Sequence, residues 1–170
     1  IKDVIGRAWQ CSTIQVDFNL PERFQVTYRD EKGGQSQPIM IHRALMGSLE
    51  RFFGCLVEHY AGAFPAWLAP LQVMILTVTD RSIPYGREVF ERLKKEGIRA
   101  ELDDRNEKLG FKIREAELKK IPFIFVIGDK EAESGAVAPR FRGKGALNQM
   151  PLDEAVRLVV SENSPEILRG

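Results

Sequence analysis

The chain has 170 residues, 44% of them hydrophobic and 29% charged, with a formal net charge of +1. That length can bury a proper core as one large domain or two small ones, and the balanced charge excludes a whole-chain polybasic field, so any nucleic-acid contact must come from a local patch. Cys11 and Cys55 make neither a disulfide framework nor a C-x-x-C pair, so a reduced, intracellular protein is the default, and no run approaches the ~18 apolar residues that a membrane span needs.

The opening residues, Ile1-Lys-Asp-Val-Ile5, carry neither an initiator methionine nor a signal peptide, and the expectation is a piece of a longer protein. Thr13-Ile-Gln-Val-Asp-Phe18 alternates polar and apolar, which predicts a strand with Thr13, Gln15 and Asp17 on one face. The pattern alone favours a solvated sheet face; the other reading is a polar pocket floor, because the Gln15 amide can both donate and accept. Phe24–Tyr28 is a second strand candidate, and Glu31-Lys-Gly-Gly34 a turn.

The spacing of Leu45, Leu49, Phe52 and Leu56 predicts a helix over 43–60 with a narrow apolar stripe. Ser48 sits at the stripe's margin and Arg51 on its flank, where serine back-bonding and a solvated arginine are the usual readings. Gly47-Ser48 inside that helix costs roughly 1 kcal/mol against good helix formers, which a close backbone or ligand approach would explain. His42, one of two histidines, has no second ligand at i+4, and a structural role is the simpler reading of its pattern.

Gly62-Ala-Phe-Pro-Ala-Trp-Leu-Ala-Pro70 stops the helix and suggests a boundary close to residue 70, dividing the chain into 1–70 and 71–170. Beyond it strands and helices alternate, which predicts an α/β unit (α+β for the whole chain) with parallel strand pairs and helices on the sheet faces. Val73–Val78 is a buried strand. Ser82 and Pro84 open a helix with Tyr85, Val89 and Leu93 inward, closed by Gly97. Ile98–Leu102 is a strand, and Lys108–Lys120 a helix with Leu109, Ile113 and Ala116 inward. Phe123–Ile127 and Gly135–Arg142 are the third and fourth strands, and Asp153 caps a last helix.

The polar residues of this half fall in its connections. Asp104-Arg-Asn-Glu-Lys108 precedes a helix carrying Lys112 and Arg114, Asp129-Lys-Glu-Ala-Glu133 follows the third strand, and Arg140 and Arg142 lie on the fourth. Charge alone favours a solvated surface of mixed sign. The sharper reading is recognition of single-stranded RNA, with arginine and lysine on phosphates and asparagine and glutamate on base edges. Phe111 and Phe141 are either stacking platforms or core.

Trp9-Gln-Cys-Ser-Thr-Ile-Gln-Val-Asp-Phe-Asn-Leu-Pro-Glu-Arg-Phe24 and Ile41-His-Arg-Ala-Leu-Met-Gly-Ser-Leu-Glu-Arg51 closely resemble the threonyl-tRNA synthetase family of bacterial type. The second stretch resembles the third signature motif of class II synthetases. Trp67-Leu-Ala-Pro-Leu-Gln-Val73, Arg105-Asn-Glu-Lys-Leu-Gly-Phe-Lys-Ile-Arg114 and Gly128-Asp-Lys-Glu131 resemble the family's anticodon-binding domain, so the likeness covers essentially the whole chain. It implies the C-terminal part of an antiparallel-sheet catalytic domain, followed by an anticodon-binding domain with a mixed sheet flanked by helices. It also implies ATP-dependent ligation of threonine to its tRNA through a threonyl-adenylate, with Mg2+ on the ATP, by a cytoplasmic homodimer.

Carried over by position, the resemblance makes His42 one of three protein ligands to a zinc ion (Zn2+) that grips the amino and hydroxyl groups of threonine and rejects valine. Thr13, Gln15 and Ser48 match positions near the amino acid and adenylate, and Gln10 a nucleotide contact. Arg51 matches the motif arginine at the ATP phosphates, where it stabilises charge as the carboxylate attacks the α-phosphate. Asn106, Glu131 and Arg140 match anticodon-reading positions, and Arg114 a supporting contact. The other two zinc ligands, the first two class II motifs and the editing domain have no counterpart in this chain. Cys11, Cys55 and His59 do not match ligands and read as structural, and Ser12 replaces a common glycine. The expectation is that this segment alone does not activate threonine. The alternatives are a non-catalytic RNA-binding paralogue, or a sister enzyme for proline or histidine, against which His42 followed by Gly47-Ser48 speaks.

Overall fold

The computed structural model describes residues 1–164 and separates Ile1–Tyr60 from a second unit that begins at Ala61. In the first unit the alternating run becomes β1 (Thr13–Asp17), and α1 (Asn19–Arg23), β2 (Tyr28–Arg29), β3 (Gln35–Ser36), β4 (Met40–Ala44) and α2 (Leu49–His59) follow. β1 and β4 pair antiparallel, and β2 and β3 form a small hairpin around the expected turn. The strand expected over 24–28 survives only at Tyr28. Asp17 Oδ1 accepts the backbone N–H groups of Asn19 and Leu20 at 2.8 and 3.1 Å, which starts a helical turn instead, and Gln25 leaves it at φ +52°.

The helix expected over 43–60 begins only at Leu49. Residues 40–44 are taken by pairing with β1, Gly47 turns at φ +66°, and Ser48 is the N-cap, its Oγ accepting the Arg51 N–H at 3.3 Å. The mid-helix cost reckoned for Gly47-Ser48 therefore does not arise. The close approach is real, but it is to backbone: a Cβ on Gly47 would stand 3.0 Å from the Cys11 carbonyl oxygen. The apolar face of the β1–β4 pair is open, with Ile14, Val16 and Ile41 each more than half exposed.

The second unit is built on β5 (Val73–Thr77), buried along its whole length. β6 (Ala100–Asp103) and β7 (Phe123–Ile127) flank it in parallel, β8 (Ala136–Phe141) adds antiparallel to β7, and β9 (Gly145–Ala146) and β10 (Met150–Pro151) both pair with β8. The helices are α3 (Ile83–Lys95), α4 (Leu109–Leu118), α5 (Asp129–Ser134) and α6 (Leu152–Glu162). Alternation along the strands sorts the core into two layers. Val73, Ile75, Phe123 and Phe125 pack with Val89 and Leu93 of α3 and Val156 and Val159 of α6. Met74, Leu76 and Ile124 pack with Ala116 of α4. The parallel pairs and the helices on both faces are those that the strand–helix alternation predicts, and the antiparallel β8 makes the sheet mixed, as the resemblance implies.

α3 approaches the sheet closely at Gly86, where a Cβ would meet Thr77 Cγ2 at 2.8 Å. Two local expectations change. Asp153 is not the cap of α6, because Pro151 holds that place and Asp153 falls in the first turn. The Asp129–Glu133 connection is itself helical, opened by the Glu131 carboxylate accepting the Gly128 N–H at 2.9 Å. Ahead of β5, the fully buried Gln72 donates to the Ala66 carbonyl at 2.8 Å and accepts the Arg99 N–H at 2.9 Å. Arg99 donates through Nε to the Ala69 carbonyl at 3.0 Å and through Nη2 to that of Trp67 at 3.2 Å.

Candidate functional site

The β1–β4 register sets Gln15 opposite His42, Thr13 opposite Ala44 and Asp17 opposite Met40. Directly opposed residues share a face, so Thr13, Gln15, Asp17 and His42 lie together on the polar side of the pair. His42 Nε2 is 3.1 Å from Asp17 Oδ2. The N–H of Leu20, the His42 ring and the N–H of Asn19 hold the Asp17 carboxyl below its usual range. A ring fixed by a carboxylate keeps a defined orientation on that face.

The second group forms where α2 starts. Ser48 Oγ donates to Glu50 Oε2 at 2.8 Å and caps the helix, which is a role the mid-helix expectation did not contain. Arg51 Cζ lies 4.8 Å from the Trp9 ring centroid, and Arg7 Cζ lies 5.4 Å from the same ring. Trp9 is anchored by its indole N–H on Asp3 Oδ2 at 3.0 Å, and Arg7 Nε donates to the same oxygen at 2.6 Å. The Gly47 turn packs on the carbonyls of Gln10 and Cys11, so Gln10 joins this group through backbone; its side chain is exposed. Neither Trp9 nor Asp3 carries a functional pattern along the sequence. The signal for them was the short Asp3-to-Trp9 spacing that closes a turn, with Trp9 N–H on the Ile1 carbonyl at 2.8 Å.

Among the described residues no group of three or more His, Cys, Asp or Glu is disposed to hold a metal ion. His42 offers one imidazole, already engaged with Asp17, so these residues do not by themselves fit a zinc centre. His59 stacks edge-on against Tyr60 at the end of α2, and the two cysteines are free thiols.

In the second unit the parallel strands deliver three connections to the same end of the sheet, at their carboxyl termini. The Asp104–Lys108 loop leaves β6 with Asn106 exposed. Arg105 forks onto Asp103 and also reaches Glu115, and its hydrogen bonds hold the Asp103 carboxyl below its usual range. Thr79 Oγ1 and Arg81 Nη2 both donate to the Asp129 carboxylate at 2.6 Å, tying the first connection to the third. No periodicity flagged that pair of contacts, because it joins distant parts of the chain.

Arg140 lies opposite Ile124 on the α4 face of the sheet, and its Nη2 is 3.4 Å from Glu117 Oε1. It lines a cavity of about 190 Å³ together with Glu117, Ile124 and Phe141. Arg114 is exposed on α4, and Glu131 is partly engaged as the cap of α5. Among the described residues no hydrogen bond or ion pair joins Asn106, Arg114, Glu131 and Arg140 to one another.

Three charged or aromatic candidates prove structural. Lys112 is only 2% exposed, and its Nζ donates to the Thr77 and Asp103 carbonyls at 3.1 Å each. Arg142 donates to the carbonyls of Lys120, Ala63 and Phe64, and burial lowers its pKa. Phe141 stacks on Phe123 with centroids 4.4 Å apart, whereas Phe111 is 48% exposed.

The two units correspond to two known classes of domain. Residues 1–60 match the tRNA synthetase class II core domain (G, H, P, S and T), and residues 72–162 match the anticodon binding domain. The chain belongs to the anticodon binding domain family. It is 55% identical over 168 residues to the threonine–tRNA ligase of Magnetococcus marinus, covering 99% of this chain and 26% of that protein. It is 57% identical over 162 residues to that of Symbiobacterium thermophilum, covering 95% and 25%. Among solved structures, the RNA binding domain of threonyl-tRNA synthetase from Cryptosporidium parvum superposes with a TM-score of 0.84 at 35% identity, covering 96% of this chain and 42% of that one. The chain spans about a quarter of the length of the curated relatives it matches.

Proposed function

We propose that this chain is the C-terminal portion of a threonine–tRNA ligase, the first unit completing the catalytic domain and the second reading the anticodon. One observation carries the reading: a face gathering Thr13, Gln15 and His42 and a helix start presenting Arg51 occur in the unit directly ahead of an anticodon-binding module. In the whole enzyme, Thr13, Gln15 and Ser48 line the amino-acid and adenylate pocket, and Gln10 contacts the nucleotide. Arg51 would neutralise phosphate charge as the threonine carboxylate attacks the α-phosphate of ATP, supplied with Mg2+, and pyrophosphate leaves with the α–β anhydride bond broken. In the whole enzyme His42 would offer one imidazole to a zinc ion completed by ligands from elsewhere, which would polarise the threonine hydroxyl. Asn106, Glu131 and Arg140 read anticodon bases, Arg114 supports them, and the whole enzyme works in the cytoplasm as a homodimer.

The test is the affinity of the chain for threonine tRNA and for the same tRNA with an altered anticodon, at one fixed near-physiological salt. The expected preference for the native anticodon corresponds to about 1–3 kcal/mol per altered base, and Glu131→Ala or Arg140→Ala should reduce it. Equal, salt-sensitive binding to both RNAs would leave only a basic surface and favour a non-catalytic RNA-binding paralogue.

A further inference from the structure

Asn106 sits at the apex of a three-residue turn, because the Glu107 N–H donates to the Arg105 carbonyl at 2.9 Å. The residue at the base of that turn is fastened on both shoulders of the loop. Toward β6, the Arg105 backbone N–H and Nε donate to Asp103 Oδ1 at 3.1 and 3.0 Å, and Nη2 donates to Asp103 Oδ2 at 2.7 Å. Toward α4, the same Nη2 donates to Glu115. Asp103 is itself fixed from below: its side chain is 9% exposed and its Oδ1 is 3.7 Å from the buried Lys112 Nζ. A continuous series of polar contacts thus runs from the β5 carbonyl of Thr77, through Lys112 and Asp103, to the guanidinium of Arg105.

Resting on the reading of this unit as an anticodon reader, we propose that Arg105 is the positioning residue for Asn106, clamping the β6–α4 turn between Asp103 and Glu115 so that the reading amide is presented already ordered. The guanidinium fork suits this task because it matches a carboxylate in a fixed plane, which a lysine ammonium cannot reproduce. Ordering the turn before RNA arrives removes an entropy cost from the bound state. A phosphate-binding arginine would leave its fork free, whereas Nε and Nη2, on a side chain 53% exposed, are here taken up by the Asp103 and Glu115 carboxylates.

The experiment compares the full chain with Arg105→Ala, Arg105→Lys, Asn106→Ala and the Arg105→Ala/Asn106→Ala double variant. Two readouts are taken: the affinity ratio for native and altered anticodon RNA across a salt series, and backbone amide order parameters at residues 105–107. Both Arg105 variants should lower discrimination about fivefold or more, as Asn106→Ala does. The double variant should be no worse than Asn106→Ala alone, the salt slope should stay unchanged, and the 105–107 amides should lose order while β5 and β7 keep theirs. Full discrimination in Arg105→Lys, or equal weakening for both RNAs with a salt slope reduced by about one, would make Arg105 a phosphate contact and overturn the proposal. If the unaltered chain fails to distinguish the RNAs, the anticodon reading falls, and the order parameters alone decide the clamp: unchanged order in Arg105→Ala overturns it, and lost order sustains it.

Discussion

The Arg51 guanidinium rests 4.8 Å from the centroid of the Trp9 ring, and that ring is held in turn by Asp3. A cation over an aromatic face at an exposed site is worth about 0.5–1 kcal/mol. On the proposed role of Arg51 at the ATP phosphates, replacing Trp9 by leucine in the whole enzyme should raise the KM for ATP about two- to fivefold in amino-acid activation, with the KM for threonine unchanged. An unaltered ATP KM would mean that Arg51 needs no such support.

Asp3 makes the first unit sensitive to strong acid. Burial raises its pKa, but the Arg7 side chain, the Trp9 indole and the Arg7 N–H together outweigh burial and bring it down to about 2, from an ordinary 3.8. With the folded value depressed, the stabilisation is present above pH 3.8 and is lost as the pH falls through about 2. In a Trp67→Phe background, Trp9 emission should stay constant down to about pH 3 and change below it. Asp3→Asn should lower stability at neutral pH and abolish that acid transition.

The Tyr85 hydroxyl is buried without a hydrogen-bond partner among the described residues, and burial pushes its pKa up to about 12. A raised pKa means that its contribution is full below the ordinary value of 10 and is lost as the pH rises toward 12. Tyr85→Phe removes an unsatisfied group. Its midpoint of thermal unfolding at pH 7 should equal or exceed that of the unaltered chain, and its stability should fall less steeply above pH 10. A loss of more than about 1 kcal/mol at pH 7 would show that the hydroxyl has a partner after all.

Lys112→Met keeps the length of the buried stem and removes the ammonium that bridges Thr77 and Asp103. Two carbonyls then lose a donor and the Asp103 carboxylate a neighbouring cation, and unfolding by denaturant should report a loss of about 2–3 kcal/mol. A change within about 0.5 kcal/mol would place Lys112 among ordinary surface lysines.

The second unit is the more legible from sequence, for a physical reason. Val73–Leu76 and Phe123–Ile127 are unbroken apolar runs, short and rich in β-formers as buried strands are, and the helix between Pro84 and Gly97 carries its own punctuation. The first unit is read less well because local pattern lost to pairing. Residues 43 and 44 fall inside the helix expected over 43–60, yet β1 claims them across more than twenty residues of chain. The same limit applies to charge. Lys112, Arg105 and Arg142 look alike along the chain, but the first is sunk under β5, the second braced on Asp103, and the third spent on carbonyls. Exposed Asn106 and Arg114 fell where the sequence put them, because loop and helix position decide exposure directly.

Gln72, Arg99 and Arg142 direct their donors at the carbonyls of residues 63–69, upstream of the first strand of the sheet. The consequence is one of portability. A recombinant piece beginning at Leu71 would keep every strand and helix of the second unit, yet would take from Arg99 its carbonyl acceptors and from Gln72 and Arg142 part of theirs. Anyone transplanting this module, or reading protease cleavage between the units, should find that the ten residues after Tyr60 travel with the sheet, because they belong to the fold and not to the tether.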